Sequence, residues 1–251
     1  MKNHKLSKLL LASVISSLTV PTLGQQLEEV VVTASKRAEN LQDIPQAVTA
    51  FSSERLVELG IVETSDLMGA IPNIQVTSAY GRTQPNFSIR GISVANEFSA
   101  ATASPVGVYV DEVYQSFRAS HGQQLFDLES VEVLRGPQGT LYGRNTTGGA
   151  VNVNTIKPSL DEGVSGFLNA RLGNYSYTDV TGAVEATIIP GELGVRLSGA
   201  VSEADGYVDN TLLGTDHPQT SSTAGRLSVL WRPSDKTDIH AKVYWAENDP
   251  R

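Results

Sequence analysis

From Val164 to Trp245 the chain follows one rule five times over: side chains alternate between an apolar or small face and a polar one. In the first segment Val164, Gly166, Leu168, Ala170 and Leu172 share one face, and Ser165, Phe167, Asn169 and Arg171 the other. Val180, Gly182, Val184, Ala186 and Ile188 stand opposite Asp179, Thr181, Ala183, Glu185 and Thr187. Val195, Leu197, Gly199 and Val201 stand opposite Arg196, Ser198, Ala200 and Ser202. Gly225 to Arg232 and Asp238 to Trp245 repeat the pattern. Successive side chains leave a strand on opposite faces, so sustained period-2 alternation specifies half-buried strands and excludes helices here.

A soluble antiparallel sandwich alternates in the same way, so alternation by itself leaves two architectures open. Connection lengths favour one of them. Ile189 to Leu193 and Pro233 to Thr237 read as tight turns, whereas Glu203 to Ala224 reads as a long polar loop. Short turns at one end and longer loops at the other are the pattern of outer-membrane barrels. Tyr175, Tyr177, Tyr207, Tyr244, Trp231 and Trp245 fall near segment ends, where an aromatic girdle would lie.

The N-terminus has the order of an export signal. Lys2, Lys5 and Lys8 precede the apolar run Leu9 to Val20, and Thr22-Leu23-Gly24 supplies small residues for cleavage. That run is shorter than the roughly 20 residues a membrane-spanning helix needs. Cleavage is therefore expected near Gly24. Without the three signal lysines the chain keeps 16 basic residues against 27 acidic ones, a balance that disfavours nucleic acid as a partner. There is no cysteine, so disulfides and thiolate metal sites are unavailable.

Between these two zones the pattern is mixed. Residues 25–46 are mostly polar apart from Val30-Val31-Val32, a β-branched trio suited to extended backbone. Ser52 or Ser53 can cap a helix through Leu59 that stops at Gly60, and Thr64 can cap a second one over Ser65 to Ala70, ahead of Pro72. Val106 to Val110, Val131 to Leu134 and Val151 to Thr155 read as strands. The expected core takes in Leu56, Val57, Leu59, Leu67, Ile71, Ile74, Ile89, Val108, Val110, Val131, Val133, Leu134 and Val151.

Val131 to Lys157 reads VEVLRGPQGTLYGRNTTGGAVNVNTIK, which is similar to the plug-domain core of TonB-dependent outer-membrane receptors. Glu28 to Ala34 (EEVVVTA) resembles the TonB box of that family, Asn86 to Ser93 (NFSIRGIS) its R-G strand, and Pro105 to Val113 (PVGVYVDEV) the hairpin that follows. The resemblance implies an α+β plug domain, a small mixed sheet with short helices, followed by the first antiparallel strands of an incomplete transmembrane β-barrel. Its divisions are a signal peptide over 1–24, a TonB-box segment and linker over 25–46, the plug over 47–158, and N-terminal barrel strands over 159–251. Only a few residues separate the expected cleavage site from Glu28, so no additional N-terminal signalling domain is expected.

The resemblance also implies the sites. Glu28, Glu29, Val30, Val31, Val32, Thr33 and Ala34 are expected to bind TonB by strand addition, with Pro45 blocking continuation. Arg90, Gly91, Arg135, Gly136, Pro137, Gly139, Gly143, Arg144, Gly148 and Gly149 form the plug motif, whose arginines are expected to hold the plug against carboxylates of the barrel wall. The implied partners are TonB, energised by the inner-membrane ExbB/ExbD complex, outer-membrane lipid, and a small extracellular ligand such as a ferric siderophore, haem, cobalamin or glycan. The implied place is the outer membrane of a Gram-negative cell, the plug facing the periplasm. No cofactor or metal is expected.

Read without that family, the glycine cluster invites a phosphate-loop interpretation. But no Gly-Lys-Ser/Thr follows it, and the spacing is not G-x-G-x-x-G, so its glycines are expected to serve backbone conformation and close packing. His121, His217 and His240 have no ligand or base partner at useful spacing, G-x-S-x-G is absent, and Asp111-Glu112 reads as a hairpin turn. No enzymatic role is expected. Transporter barrels of this type have about 22 strands, against five here. Two other readings stay open: a truncated product without transport activity, and a soluble periplasmic module that binds TonB. A reading frame that runs on beyond Arg251 with alternating strands would favour the receptor, and a stop there the other two.

Overall fold

The computed structural model describes residues 31–32, 36–37, 39–40, 44–79, 84–99, 102–122, 124–210, 215–217 and 219–249. The expected signal peptide, and Glu28, Glu29, Val30, Thr33 and Ala34, lie outside the described residues. In chain order the first domain contains β1 (Val31–Val32), β2 (Glu39–Asn40), β3 (Val48–Ser52), α1 (Ser53–Glu58), α2 (Leu67–Ala70), β4 (Ile74–Thr77), β5 (Asn86–Ile89), β6 (Val106–Val110), β7 (Val113–Tyr114), β8 (Leu128–Arg135), α3 (Gly139–Tyr142) and β9 (Gly149–Thr155). Then come β10 (Val164–Leu172), β11 (Thr178–Ile189), β12 (Leu193–Ala204), β13 (Val208–Asn210), β14 (Thr215–His217), β15 (Thr220–Ser234) and β16 (Thr237–Asn248).

The first domain is built on a five-stranded mixed sheet in the order β3-β8-β9-β6-β7, parallel only between β9 and β6. Its strands alternate, so all but the edge strand β7 contribute to two cores. On one face Phe51, Val131, Val133, Val151, Val153, Val106 and Val108 pack under Leu56, Leu67, Ile71, Ile74, Phe87 and Ile89. On the other, Leu134, Ala150 and Tyr109 gather Tyr142, Ile44 and Val32. That second face also buries Glu132, held by Asn154 at 3.2 Å and Asn152 at 3.4 Å. Asn152 also donates to the Tyr142 hydroxyl at 2.6 Å. Burial, opposed by that hydrogen bond and assisted by the Glu132 charge, pushes the Tyr142 hydroxyl up to about 12.

Local signals explain the helices, with two corrections. Ser52 Oγ accepts from the Arg55 N–H at the start of α1, and Gly60 takes φ +67 just past its end. Thr64 is not the cap of the second helix. A 3-10 turn, Thr64–Asp66, comes first, Glu63 holds the cap position, and Asp66 accepts from the N–H groups of Val62 and Glu63. Thr64 is buried instead, its hydroxyl donating to the His121 carbonyl at 2.7 Å. Val57 and Leu59 are exposed rather than in the core, because so short a helix turns only Leu56 inward.

The five alternating segments form one antiparallel meander, β10-β11-β12-β15-β16, here called the wall. Its strands of 9 to 15 residues meet the length a tilted membrane strand requires. The loop expected from Glu203 to Ala224 is largely strand. β12 runs to Ala204, β15 begins at Thr220, and β13 and β14 form a small hairpin between them. The pairs Glu203↔Ser221 and Ala204↔Thr220, mostly polar, carry the ladder past the apolar stretch, which hydropathy alone does not signal. The wall's inward face bears Glu185, Arg196, Ser198, Ala200, Ser202, Ser222, Ala224, Arg226 and Ser228, all buried against the first domain. Its other face leaves Val164, Leu168, Leu197 and Val243 exposed at 55 to 78%. Among the described residues no helix is long and apolar enough to cross a membrane, which says nothing of strands.

That asymmetry sets an expected result. A protein of residues 25–158 keeps both of its cores and should elute as a soluble monomer. The 251-residue chain in detergent-free buffer should aggregate, because it exposes an apolar sheet face and unpaired edges. Size-exclusion chromatography of both in one buffer checks this, and a monomeric, cooperatively unfolding 251-residue chain would contradict it.

Candidate functional site

Three groups of residues stand where the first domain meets the wall or the N-terminal segment. The first is a buried ionic cluster. Register places Glu185 directly opposite Arg196, and Arg226 diagonally beside Arg196 through Ser198↔Arg226. Asp127 enters from the first domain, in a left-handed turn (φ 52) just before β8. It takes Arg196 through Nε at 3.0 Å and Nη2 at 2.5 Å, and Arg226 Nη2 at 2.8 Å. Arg196 Nη1 reaches Glu185 at 2.8 Å. Phe126, one residue earlier, packs on Ala200 and Ala224 and lies under the Arg226 guanidinium at 4.9 Å. Side chains of Asp127, Arg196 and Arg226 are only 1, 7 and 6% exposed. Burial alone would raise the Asp127 pKa, but the Arg196 hydrogen bonds and the charges of Arg226 and Arg196 hold it below the usual carboxylate value. Two carboxylates and two guanidiniums balance, which is what lets four charges be buried together.

The second group is the N-terminal segment. Val31 and Val32 are extended, as their β-branching predicts, yet they are not a free tether. They pair with Asn40 and Glu39, and Val32 is completely buried beside Ile44, Tyr109, Leu134, Tyr142 and Ala150. Lys36 then sits 4.8 Å over the Tyr142 ring and 5.8 Å over Tyr109.

The third is the glycine-rich loop between β8 and β9. The Gly136 N–H bonds the Gly148 carbonyl, and the Gly148 N–H bonds that of Pro105. A Cβ on Gly149 would lie 2.3 Å from the Leu134 carbonyl oxygen. Gly143 has φ +80 at the end of α3. Gly139 opens that helix, and Pro137 is exposed beside it. These are backbone tasks, not a phosphate cradle. Arg90 and Gly91 are not strand residues but a left-handed turn after β5 (φ 53 and 79), where the Arg90 guanidinium lies beside Gly136. Arg90 and Arg144 are exposed, and Arg135 is half-buried with its Nε unpartnered among the described residues.

Residues 40–150 match the model of the TonB-dependent receptor plug domain. The chain belongs to the TonB-dependent receptor family. The pesticin receptor of Yersinia pestis is 30% identical over 219 residues, 86% of this chain and 31% of that receptor. The ferrioxamine B receptor of Salmonella typhimurium is 26% identical across 94% of this chain and 33% of its own length. Among solved structures, the ferric yersiniabactin uptake receptor FyuA from Yersinia pestis superposes with a TM-score of 0.73 at 26% identity, over 80% of this chain and 31% of that one. The chain thus spans about a third of the length of these relatives.

By that likeness the first domain is the plug and the meander corresponds to the first strands of the barrel wall. Sequence reasoning looked for plug arginines on wall carboxylates, whereas the buried pairs seen here run the other way, a plug aspartate on wall arginines. Asp127, Glu185, Arg196, Arg226 and Lys242 were all missed as site residues. For the four wall residues the available clue was position: ionisable residues in mid-strand, on the polar face of a wall whose other face is apolar; Asp127, in a turn of the plug, carried no such clue.

Proposed function

We propose that this chain is the N-terminal part of an outer-membrane receptor that takes up a scarce small ligand, such as a ferric siderophore, with energy transmitted by TonB. The observation that carries this reading is the plug sheet docked by Asp127 onto the polar face of a strand wall whose opposite face is apolar. A lumen filled by a plug needs such a two-faced wall, and a soluble periplasmic module has no use for one. The relative named for ferrioxamine B and the solved ferric yersiniabactin uptake receptor support a siderophore-type ligand.

In this reading residues 1–24 direct export, the plug faces the periplasm, and Glu28 to Ala34 bind TonB, itself driven by ExbB/ExbD. Arg90, Arg135 and Arg144 meet carboxylates of wall strands beyond those present here. TonB adds its strand to the Val30 to Val32 backbone, and the burial of Val32 means that the segment must first leave the plug. Replacing Val31 with proline removes a donor that strand addition needs. Energised uptake should fall to background, while ligand binding to cells stays within about twofold of wild type. Wild-type uptake by a variant present in the outer membrane would refute the assignment of the box.

A further inference from the structure

The β6–β7 hairpin lies at the edge of the plug sheet, and its two turn residues are held in opposite directions. Glu112 faces the N-terminal segment, where Lys36 Nζ lies 3.8 Å away. Asp111 faces the wall, ion-paired with Lys242 and accepting from the Thr155 N–H at 2.9 Å. Lys242 also donates to the Thr155 hydroxyl at 2.8 Å, so the wall hold is a small network. The strand leading into this turn divides two environments. Tyr109 packs toward Val32, and Val108 and Val110 line a cavity of about 360 Å³ between plug and wall. Arg226, Lys242 and Tyr244 close the wall side of that cavity.

The two holds differ in strength. Lys36 and Glu112 are 32 and 73% exposed, so water screens that pair, whereas Lys242 and Asp111 are 18 and 21% exposed. The cavity is also prepared for water. His121 Nδ1, Gln124 Nε2 and Arg226 Nε line it, buried and without partners among the described residues. His121 Nε2 faces the Gln115 carbonyl at 3.0 Å, and burial keeps the ring's pKa below its usual value, so Nδ1 is a bare acceptor.

We propose that the β6–β7 hairpin relays withdrawal of the N-terminal segment to the plug–wall gap. When a partner strand takes Val31–Val32, Val32 leaves the Tyr109–Tyr142 cluster and draws Lys36, four residues on, away from Glu112 and both rings. The hairpin then has packing on one face only, Asp111 parts from Lys242, and the cavity opens to solutes. This rests on the reading of Val30 to Val32 as the TonB-binding strand, and it adds what that strand moves.

The chain has no cysteine, so one introduced at buried Val153, which lines the cavity, reports opening. The measurement is its modification rate by a small charged thiol reagent in cells carrying the receptor, with and without energised TonB and ligand. Energisation should raise the rate. Lys242→Gln should raise the unenergised rate about tenfold, as loss of a partly buried charged hydrogen bond predicts. Glu112→Gly, which suits the turn's φ of 69 and removes only the Lys36 partner, should raise it by about two- to threefold. Unchanged unenergised rates in both variants, or no rise on energisation in the parent, would overturn the relay. Val31→Pro separates the two readings. Loss of the energised increment supports the box, so failure of the Lys242 and Glu112 variants then counts against the relay alone. An increment that persists in Val31→Pro counts against the box.

Discussion

Asp127→Asn is expected to weaken docking of the plug on the wall by about 3–5 kcal/mol, the usual cost of removing one partner from a buried ion cluster. Asparagine keeps the shape but leaves Arg226 without a carboxylate in a site where its side chain is 6% exposed. Arg196 retains only Glu185. The measurement is the denaturant midpoint of the plug, or its rate of proteolysis, in the detergent-solubilised receptor. Adding Arg226→Met should recover part of the loss, because it removes the orphaned charge. Stability within about 0.5 kcal/mol of wild type would mean that the cluster contributes nothing to docking. The pH dependence has a definite sign. The folded pKa of Asp127 lies below its ordinary 3.8, so its stabilisation is fully present above that value and is lost as pH falls through the depressed one. Wild-type docking should therefore respond little to this group at neutral pH and weaken in acid. In Asp127→Asn the acid limb should flatten.

Gly149→Ala should be the most damaging single methyl addition in the glycine-rich loop, costing about 4 kcal/mol or more. Gly149 has φ +156, and an added Cβ would lie 2.3 Å from the Leu134 carbonyl oxygen and 2.8 Å from Ile89 Cδ1. The clash is with the backbone of β8, so relief requires breaking the β8–β9 ladder at the centre of the sheet. Two neighbours calibrate the effect. Gly143→Ala meets open space but keeps φ +80 with ψ −146, a region that is almost glycine's alone, and should cost about 2 kcal/mol. Gly139→Ala meets nothing within 4 Å and has no positive φ, and should stay within about 0.5 kcal/mol of wild type. Thermal or urea unfolding of residues 25–158 carrying each change tests the order. Equal stability of Gly149→Ala and Gly139→Ala would show that the loop's glycines are not set by packing.

The wall was legible because alternation is a local property. A residue's face follows from its parity along the strand, and all five segments appear with the faces read from their sequence. Caps and turns were legible on the same grounds, where a single residue type satisfies a local backbone need. Ser52 caps α1, Gly60 follows its end, and Asp111-Glu112 occupy the hairpin turn. Where two local options competed, the sequence was a poorer guide. Glu63 with Asp66 took the cap that Thr64 offered, since Thr64 was buried against a carbonyl 57 residues away.

The family was legible in the order and spacing of its motifs. What only the tertiary structure decided is which charges meet. Asp127 is separated from Arg196 by 69 residues and from Arg226 by 99, and no periodicity links such positions. Their pairing depends on the register of three wall strands and on the left-handed turn that aims Asp127 at them. The fate of Val31–Val32 was decided in the same way. Local propensity makes the pair extended, but whether Val32 waits in water or packs beside Tyr109 and Tyr142 depends on an apolar surface assembled from four separate segments of the plug. Backbone preference acts between neighbours in sequence, whereas burial and charge pairing act between neighbours in space.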